Sequence, residues 1–338
     1  MATPHIQPTP DLIFETLNAY QRTAALKAAI DLDIFTSIGE GATTSAEIAK
    51  RCNAAKRGVR ILCDYLTIMG FLTKSVERYA LTAESATFLD RRSPACVAST
   101  AGFLLLPEMV DTYKDLAAAV RRGGSVLKGD GTVEPENPIW VDFARSMAPM
   151  QVMPAEGIAR MLEAEKIETS KVLDVAAGHG MFGIAIAKHN AKAQIFATDW
   201  ASVLEIAKEN ARAAGVDSRF HAIPGSAFDV DFGSGYDTVL LTNFLHHFDQ
   251  PTVETLLRKV HAALAANGRA VTLDFIPNED RVTPPRTASF AVIMLATTPA
   301  GDAYTFAEYE RMFQNAGFSA NELRRLPSGP QSVIISRK

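Results

Sequence analysis

The segment Val172-Leu-Asp-Val-Ala-Ala-Gly-His-Gly180 constrains this chain more than any other, because a buried strand there runs into a turn of small residues and then into a helix. A ligand must approach backbone at such a corner: Ala176, Gly178 and Gly180 leave room for it, and the free amides of the following helix carry partial positive charge. The flanking sequence agrees. Strands are predicted at 171–176, 193–198, 219–223, 236–242 and 269–275, interleaved with helices at 181–190, 202–214 and 252–266, followed by a last helix at 305–316. Alternation of this kind makes a parallel sheet with helices on both faces. Strands 320–326 and 331–336 then flank Pro327-Ser-Gly-Pro330, a link too short to cross over, so the sheet ends in an antiparallel hairpin. Gly215, Gly268 and Gly317 are each expected to stop a helix in the left-handed conformation.

Upstream the pattern is helical. Residues 11–36 read as helix with Asp11 as N-cap, and Thr44-Ser-Ala-Glu47 is a capping box that opens a short helix at Ser45. A second helix, 56–69, carries Val59, Leu62, Leu66 and Met69 on one stripe and ends at Gly70; two β-prone pieces, 71–74 and 78–82, follow. Helix, turn, helix and hairpin outline a winged helix. Three parts result: a winged-helix domain at 1–92, a helical bridge at 93–166 and the α/β domain at 167–338. Lys56, Arg57 and Arg60 would allow a DNA-reading helix, but 34 Lys and Arg against 38 Asp and Glu, a net charge of −4, argue against nucleic acid. Packing or dimerisation is the favoured reading of this domain. In the bridge, Phe143, Met147 and Met150 recur on one helical face. Cys52, Cys63 and Cys96 form no CxxC pair, which fits a reducing cytoplasm, and no apolar run approaches the ~18 residues of a membrane span.

Asp199 closes the strand after the glycine turn, 25 residues beyond Asp174, where an open α/β fold places an acid that accepts both ribose hydroxyls. An adenosine-type ligand follows. Gly178-His-Gly-Met-Phe-Gly183 also satisfies the GxGxxG dinucleotide pattern. Asp174 separates the two cofactor classes, since an acid inside the strand would repel a pyrophosphate but suits the ammonium of an amino-acid moiety. S-adenosylmethionine is therefore expected in preference to NAD.

With these motifs in place, residues 171–338, and less specifically 11–90, resemble the plant caffeate and isoflavone type O-methyltransferases and bacterial relatives such as hydroxyneurosporene methyltransferase. The resemblance implies a Rossmann-like class I methyltransferase sheet, S-adenosylmethionine as cofactor and a homodimer formed through the N-terminal domain. The family's glycine loop falls on Asp174-Val-Ala-Ala-Gly-His-Gly180, with Ala176 at its first glycine. Its ribose acid falls on Asp199 beside Trp200, and its adenine motif on Gly225-Ser-Ala-Phe228, so that Ser226 stands at the usual Asp and Ala227 and Phe228 follow. Thr242, at the end of the fourth strand, joins this cofactor-binding set. The general base falls on His246, and His247 replaces a family Asp. Of the two acids that orient the base, the first matches Asp274; the second falls on Ala303, with Asp302 as a candidate substitute.

The chemistry explains the base: a phenol ionises near pH 10, and removing its proton makes a better nucleophile at neutral pH. An aromatic acceptor favours apolar walls, for which Phe143, Met147, Met150, His247, Phe290 and Met294 are candidates. The function expected is methyl transfer to a hydroxyl, phenolic in type, of a small apolar molecule. A non-catalytic, cofactor-binding regulator and an NAD-dependent dehydrogenase are the alternatives. The remaining histidines, His5, His179, His189, His221 and His261, show no metal-ligand spacing and fit solvated or capping roles.

Overall fold

The computed structural model describes residues 8–163, 170–327 and 329–338, and the chain divides after Ala101 into two compact units. His5 lies outside the described residues.

In the first unit the expected helix at 11–36 is three helices, Asp11–Leu17, Ala19–Asp31 and Ile34–Gly39. Asp33, between the last two, has φ 54°, a left-handed conformation that Asp reaches more readily than most residues. Asp11 is not a cap: it is the first helical residue, and its carboxylate accepts the Thr9 hydroxyl at 2.8 Å. The capping box does form, with Thr44 Oγ1 accepting the Glu47 amide and the Glu47 carboxylate accepting the Thr44 amide. The helices Ser45–Arg51 and Lys56–Ile68 lead into a hairpin of β1 (Leu72–Ser75) and β2 (Arg78–Leu81), registered Leu72 against Leu81. Ile34, Phe35, Ile48, Val59, Cys63, Leu66, Leu72 and Tyr79 bury together as the core of this winged helix. Leu12, Ile13, Phe14, Leu17 and Tyr20 remain exposed.

The second unit is built on seven strands: β3 (Lys171–Val175), β4 (Gln194–Asp199), β5 (Phe220–Pro224), β6 (Tyr236–Thr242), β7 (Leu264–Asp274), β8 (Ala320–Arg325) and β9 (Ser332–Arg337). Their order is β5-β4-β3-β6-β7-β9-β8, with β9 antiparallel to both its neighbours and every other pair parallel. The chain winds outward from β3 through β5 and then returns to β6 on the other side. The β3–β6 boundary is thus the switch point, and loops leaving the carboxyl ends of these strands open a crevice there. Pleating sends alternate residues to opposite faces. Val172 packs with Phe182, Ile184 and Leu204, whereas Leu173 and Val175 pack with Val253, Leu256 and Phe313.

Gly215 and Gly317 have φ of 69° and 101°, as expected for helix ends, but Gly268 does not. The helix Gln250–Ala263 stops earlier, β7 starts at Leu264, and a register shift against β6 lies between the Tyr236 and Thr238 pairings. A Cβ on Gly268 would come 2.7 Å from the Tyr236 carbonyl oxygen, so close approach of two strands demands that glycine, not a left-handed turn. In the bridge the longest helix, Ile139–Met161, continues through Pro149 and Pro154.

Candidate active site

Asp174 is completely buried at the end of β3, on the face shared with Val172. Its Oδ2 accepts the Gly183 amide at 3.1 Å, while Oδ1 is buried without a partner. Burial, with a smaller push from the neighbouring Asp199 charge, raises its carboxyl to about 7. A buried carboxylate oxygen with nothing to accept is costly unless a donor arrives, and a cation is the donor that suits it. Ala176, Gly178 and Gly180 are all left-handed, with φ of 51°, 55° and 74°. At Ala176 this conformation costs an L-residue about 1–2 kcal/mol that a glycine would not incur.

His179 accepts on Nδ1, at 3.2 Å, the amide of Met181, the first residue of the helix Met181–His189, and burial lowers its imidazole to about 4. The Phe143 ring stacks on His179 with centroids 6.0 Å apart, and a Cβ on Gly178 would sit 3.6 Å from the same ring. Phe143 thus lies over the glycine loop. Met147 is buried in a cluster with Phe103 and Met109, whereas Met150, 40% exposed, stays outside that cluster.

At the end of β4 the Asp199 carboxylate ties two loops together. Oδ2 accepts the Gly178 amide at 2.8 Å and Oδ1 accepts the Trp200 amide at 2.7 Å. A carboxylate offers about four lone-pair sites, so capacity remains for two ribose hydroxyls. Burial raises its carboxyl to about 6 against the lowering effect of those hydrogen bonds. Ser226 Oγ accepts the Phe228 amide at 3.2 Å, Ala227 is buried, and the carbonyls of Ala227 and Phe228 each accept the Lys259 ammonium at 2.9 Å. Lys259, which stabilises this loop from the helix Gln250–Ala263, carries no local signal in the sequence. Thr242 is buried at the end of β6.

The two acids have a consequence for stability. Each is raised from an ordinary 3.8, so each contributes stability that is full below that value and is lost as pH rises through the folded one. Without ligand, the wild-type protein is expected to lose more thermal stability between about pH 4 and pH 7 than Asp174→Asn does. A cationic ligand group meeting Asp174 would favour the ionised carboxylate, so saturating S-adenosylhomocysteine should shrink that difference. Parallel melting curves for the two proteins across the interval would contradict the reading.

His246 follows β6 in the turn Leu245–His247 and is 3% exposed. Its Nδ1 lies 2.6 Å from Asp274 Oδ1 at the end of β7. With the Asp274 oxygen as acceptor the hydrogen of this contact sits on Nδ1, and the lone pair of the neutral ring is then on Nε2. The Phe290 ring stands edge-on to the imidazole at 4.8 Å and stacks on Phe275 at 3.8 Å. Met294 is buried on the same helix, Phe290–Thr297. His247 has a buried Nδ1 without a partner and sits edge-on to Trp140 at 5.2 Å; burial and its neighbour His246 hold it well below the usual range, as a neutral ring.

Asp302 makes its side-chain contacts elsewhere: its carboxylate pairs with Arg281 at 3.2 Å and accepts the Ala303 amide, while its own amide donates to the His246 carbonyl. Ala303 is buried. The residue that sequence reasoning missed is Tyr309, whose hydroxyl donates to Asp274 Oδ2 at 2.7 Å. Among the described residues no cluster of three His, Cys, Asp or Glu could hold a metal, and no helix is long and apolar enough to cross a membrane.

Comparison with known proteins completes this picture. Residues 113–319 match the family model of the O-methyltransferase domain, and residues 14–91 match that of the O-methyltransferase dimerisation domain. A crystal structure of a provisionally assigned O-methyltransferase from Nostoc punctiforme PCC 73102 is 55% identical, covers 98% of this chain and 100% of its own, and superposes with a TM-score of 0.95. The 3-hydroxy-5-methyl-1-naphthoate 3-O-methyltransferase of Streptomyces sahachiroi is 25% identical over 99% of this chain and 97% of its own. Human N-acetylserotonin methyltransferase, solved with S-adenosylmethionine, shares the fold at 19% identity and a TM-score of 0.86, covering 100% of this chain and 99% of its own. Neither the dinucleotide reading nor the regulatory one finds support among these relatives.

Proposed function

The chain belongs to the S-adenosylmethionine-dependent O-methyltransferase family, and from that premise we propose that it methylates a phenolic hydroxyl of a small, largely apolar molecule with His246 as general base. The observation that carries this reading is the 2.6 Å contact between His246 Nδ1 and Asp274, which leaves Nε2 as a proton acceptor at the carboxyl edge of the sheet. S-adenosylmethionine supplies, when bound, an electrophilic methyl group on a sulfonium. Asp174 would receive its ammonium, Asp199 its ribose hydroxyls, and the Ser226–Phe228 loop its adenine. His246 Nε2 takes the proton of the acceptor hydroxyl, and Asp274 orients the ring and stabilises its charged form. Phe290 and Met294, with His247, wall the acceptor side, and the edge-on ring of Phe290 packs against the imidazole.

The naphthoate relative acts, by its name, on a ring-borne hydroxyl, which supports an aromatic acceptor here. The exposed apolar residues of the helix Asp11–Leu17 suit burial in a homodimer formed by the dimerisation domain, in a reducing cytoplasm. A screen of hydroxylated aromatics with methyl-labelled donor tests the reading. Turnover of phenols but not of their non-hydroxylated analogues is expected; transfer only to amines or carbon would contradict it.

A further inference from the structure

Asp274 is fully buried and its two oxygens carry different loads. Oδ1 accepts from His246 Nδ1 at 2.6 Å and from the Phe275 amide at 2.7 Å, and Oδ2 accepts the Tyr309 hydroxyl at 2.7 Å. We propose that Tyr309 is a positioning residue of the active site: through Asp274 it fixes the plane of the carboxylate, and with it the tautomer and orientation of His246. This does the work for which a second acid would be needed at Ala303, and it rests on the assignment of His246 as base.

The terminal torsion of an Asp side chain is broad and roughly two-fold, so donors on one oxygen alone leave the carboxylate free to swing. A donor on the other oxygen removes that freedom. Tyr309 is well placed to supply it. The ring is completely buried, the Tyr304 ring stands edge-on to it at 5.8 Å, and its helix Phe306–Asn315 is anchored by a second capping box, Thr305 with Glu308. Burial, then the Asp274 charge, hold the phenol well above its usual range, so it donates a proton throughout the pH range of catalysis. The other titratable or charged groups facing this set are His247, Tyr304, and the half-buried acids Asp302 and Glu308, which both pair with the exposed Arg281.

The test is the kinetics of Tyr309→Phe, which keeps the ring and its packing. Loss of the donor leaves Oδ2 unsatisfied, and kcat is expected to fall about 10- to 100-fold with the acceptor KM and S-adenosylhomocysteine affinity little changed. Without the shared hydrogen bond Asp274 stabilises the imidazolium more, so the acid limb of the kcat profile should move to higher pH. The defect should shrink for acceptors of lower phenol pKa, which need less help from a base. A wild-type kcat and an unmoved limb, alongside a His246→Ala whose kcat falls at least about 10²-fold, would overturn this inference and leave the base assignment standing. A fully active His246→Ala would remove both. Should Tyr309→Phe fail to fold, Tyr309→3-fluorotyrosine strengthens the donated bond; the limb should then move to lower pH, and a static limb would overturn the proposal.

Discussion

His246→Ala is expected to lower kcat for methyl transfer to a phenol by about 10²- to 10⁴-fold, the usual loss for a general base. S-adenosylhomocysteine affinity should be unaffected, because the groups proposed to hold the cofactor, Asp174, Gly178 and Asp199, lie on β3, β4 and the loop between, whereas His246 follows β6 and is held from β7. Proton removal then falls to solvent, so the residual rate should climb steadily as pH approaches the phenol's own ionisation near 10. Wild-type activity should not follow the phenol's ionisation in this way. Steady-state assays with labelled donor, run across pH beside a calorimetric titration of S-adenosylhomocysteine, measure both effects. An unchanged kcat with intact cofactor binding would refute the role given to His246.

The second large effect is expected at Asp199. The Asn substitution keeps the shape but replaces one acceptor oxygen with an NH2 group, which must face the amide of either Gly178 or Trp200. One of the two loop ties is therefore lost, together with the charge that would strengthen the proposed hydrogen bonds to the ribose hydroxyls. At about 1.5–3 kcal/mol for each charged hydrogen bond, loss of two weakens S-adenosylhomocysteine binding by about 10²- to 10⁴-fold. The cofactor-free fold should melt near the wild-type temperature, because removing a charge that burial disfavours offsets the broken tie. Affinity equal to wild type would show that the ribose is held by other groups.

The fold was largely legible because its signals are local. Small residues after β3, the glycines that stop helices at 215 and 317 and the Thr44–Glu47 box each act within a few positions, and the strands appear within a residue or two of their expected ends apart from the start of β7. Gly268 was misread for the complementary reason: its need for glycine comes from Tyr236 on the neighbouring strand, not from the backbone around it. The break at Asp33 similarly depends on how Ile34, Phe35 and Ile38 turn into the core.

At the candidate site, the pairing of His246 with Asp274 could be expected from family resemblance, but Tyr309 could not. It lies 35 residues from Asp274, in a helix whose pattern announces only an apolar face. The diversion of Asp302 to Arg281 and the stacking of Phe143 on His179 are likewise tertiary contacts with no trace in spacing. The left-handed strain at Ala176 is a consequence of the loop geometry, invisible until the strand, turn and helix are assembled.

The unpartnered Oδ1 of Asp174 is the atom on which the choice of cofactor turns, and calorimetry with two ligands addresses it most directly. S-adenosylhomocysteine carries the amino-acid moiety and 5′-methylthioadenosine lacks it. Asp174→Asn should bind S-adenosylhomocysteine about 10- to 100-fold more weakly than wild type and bind 5′-methylthioadenosine equally well. Equal losses for both ligands, or no loss for either, would mean that this buried acid does not receive the ammonium.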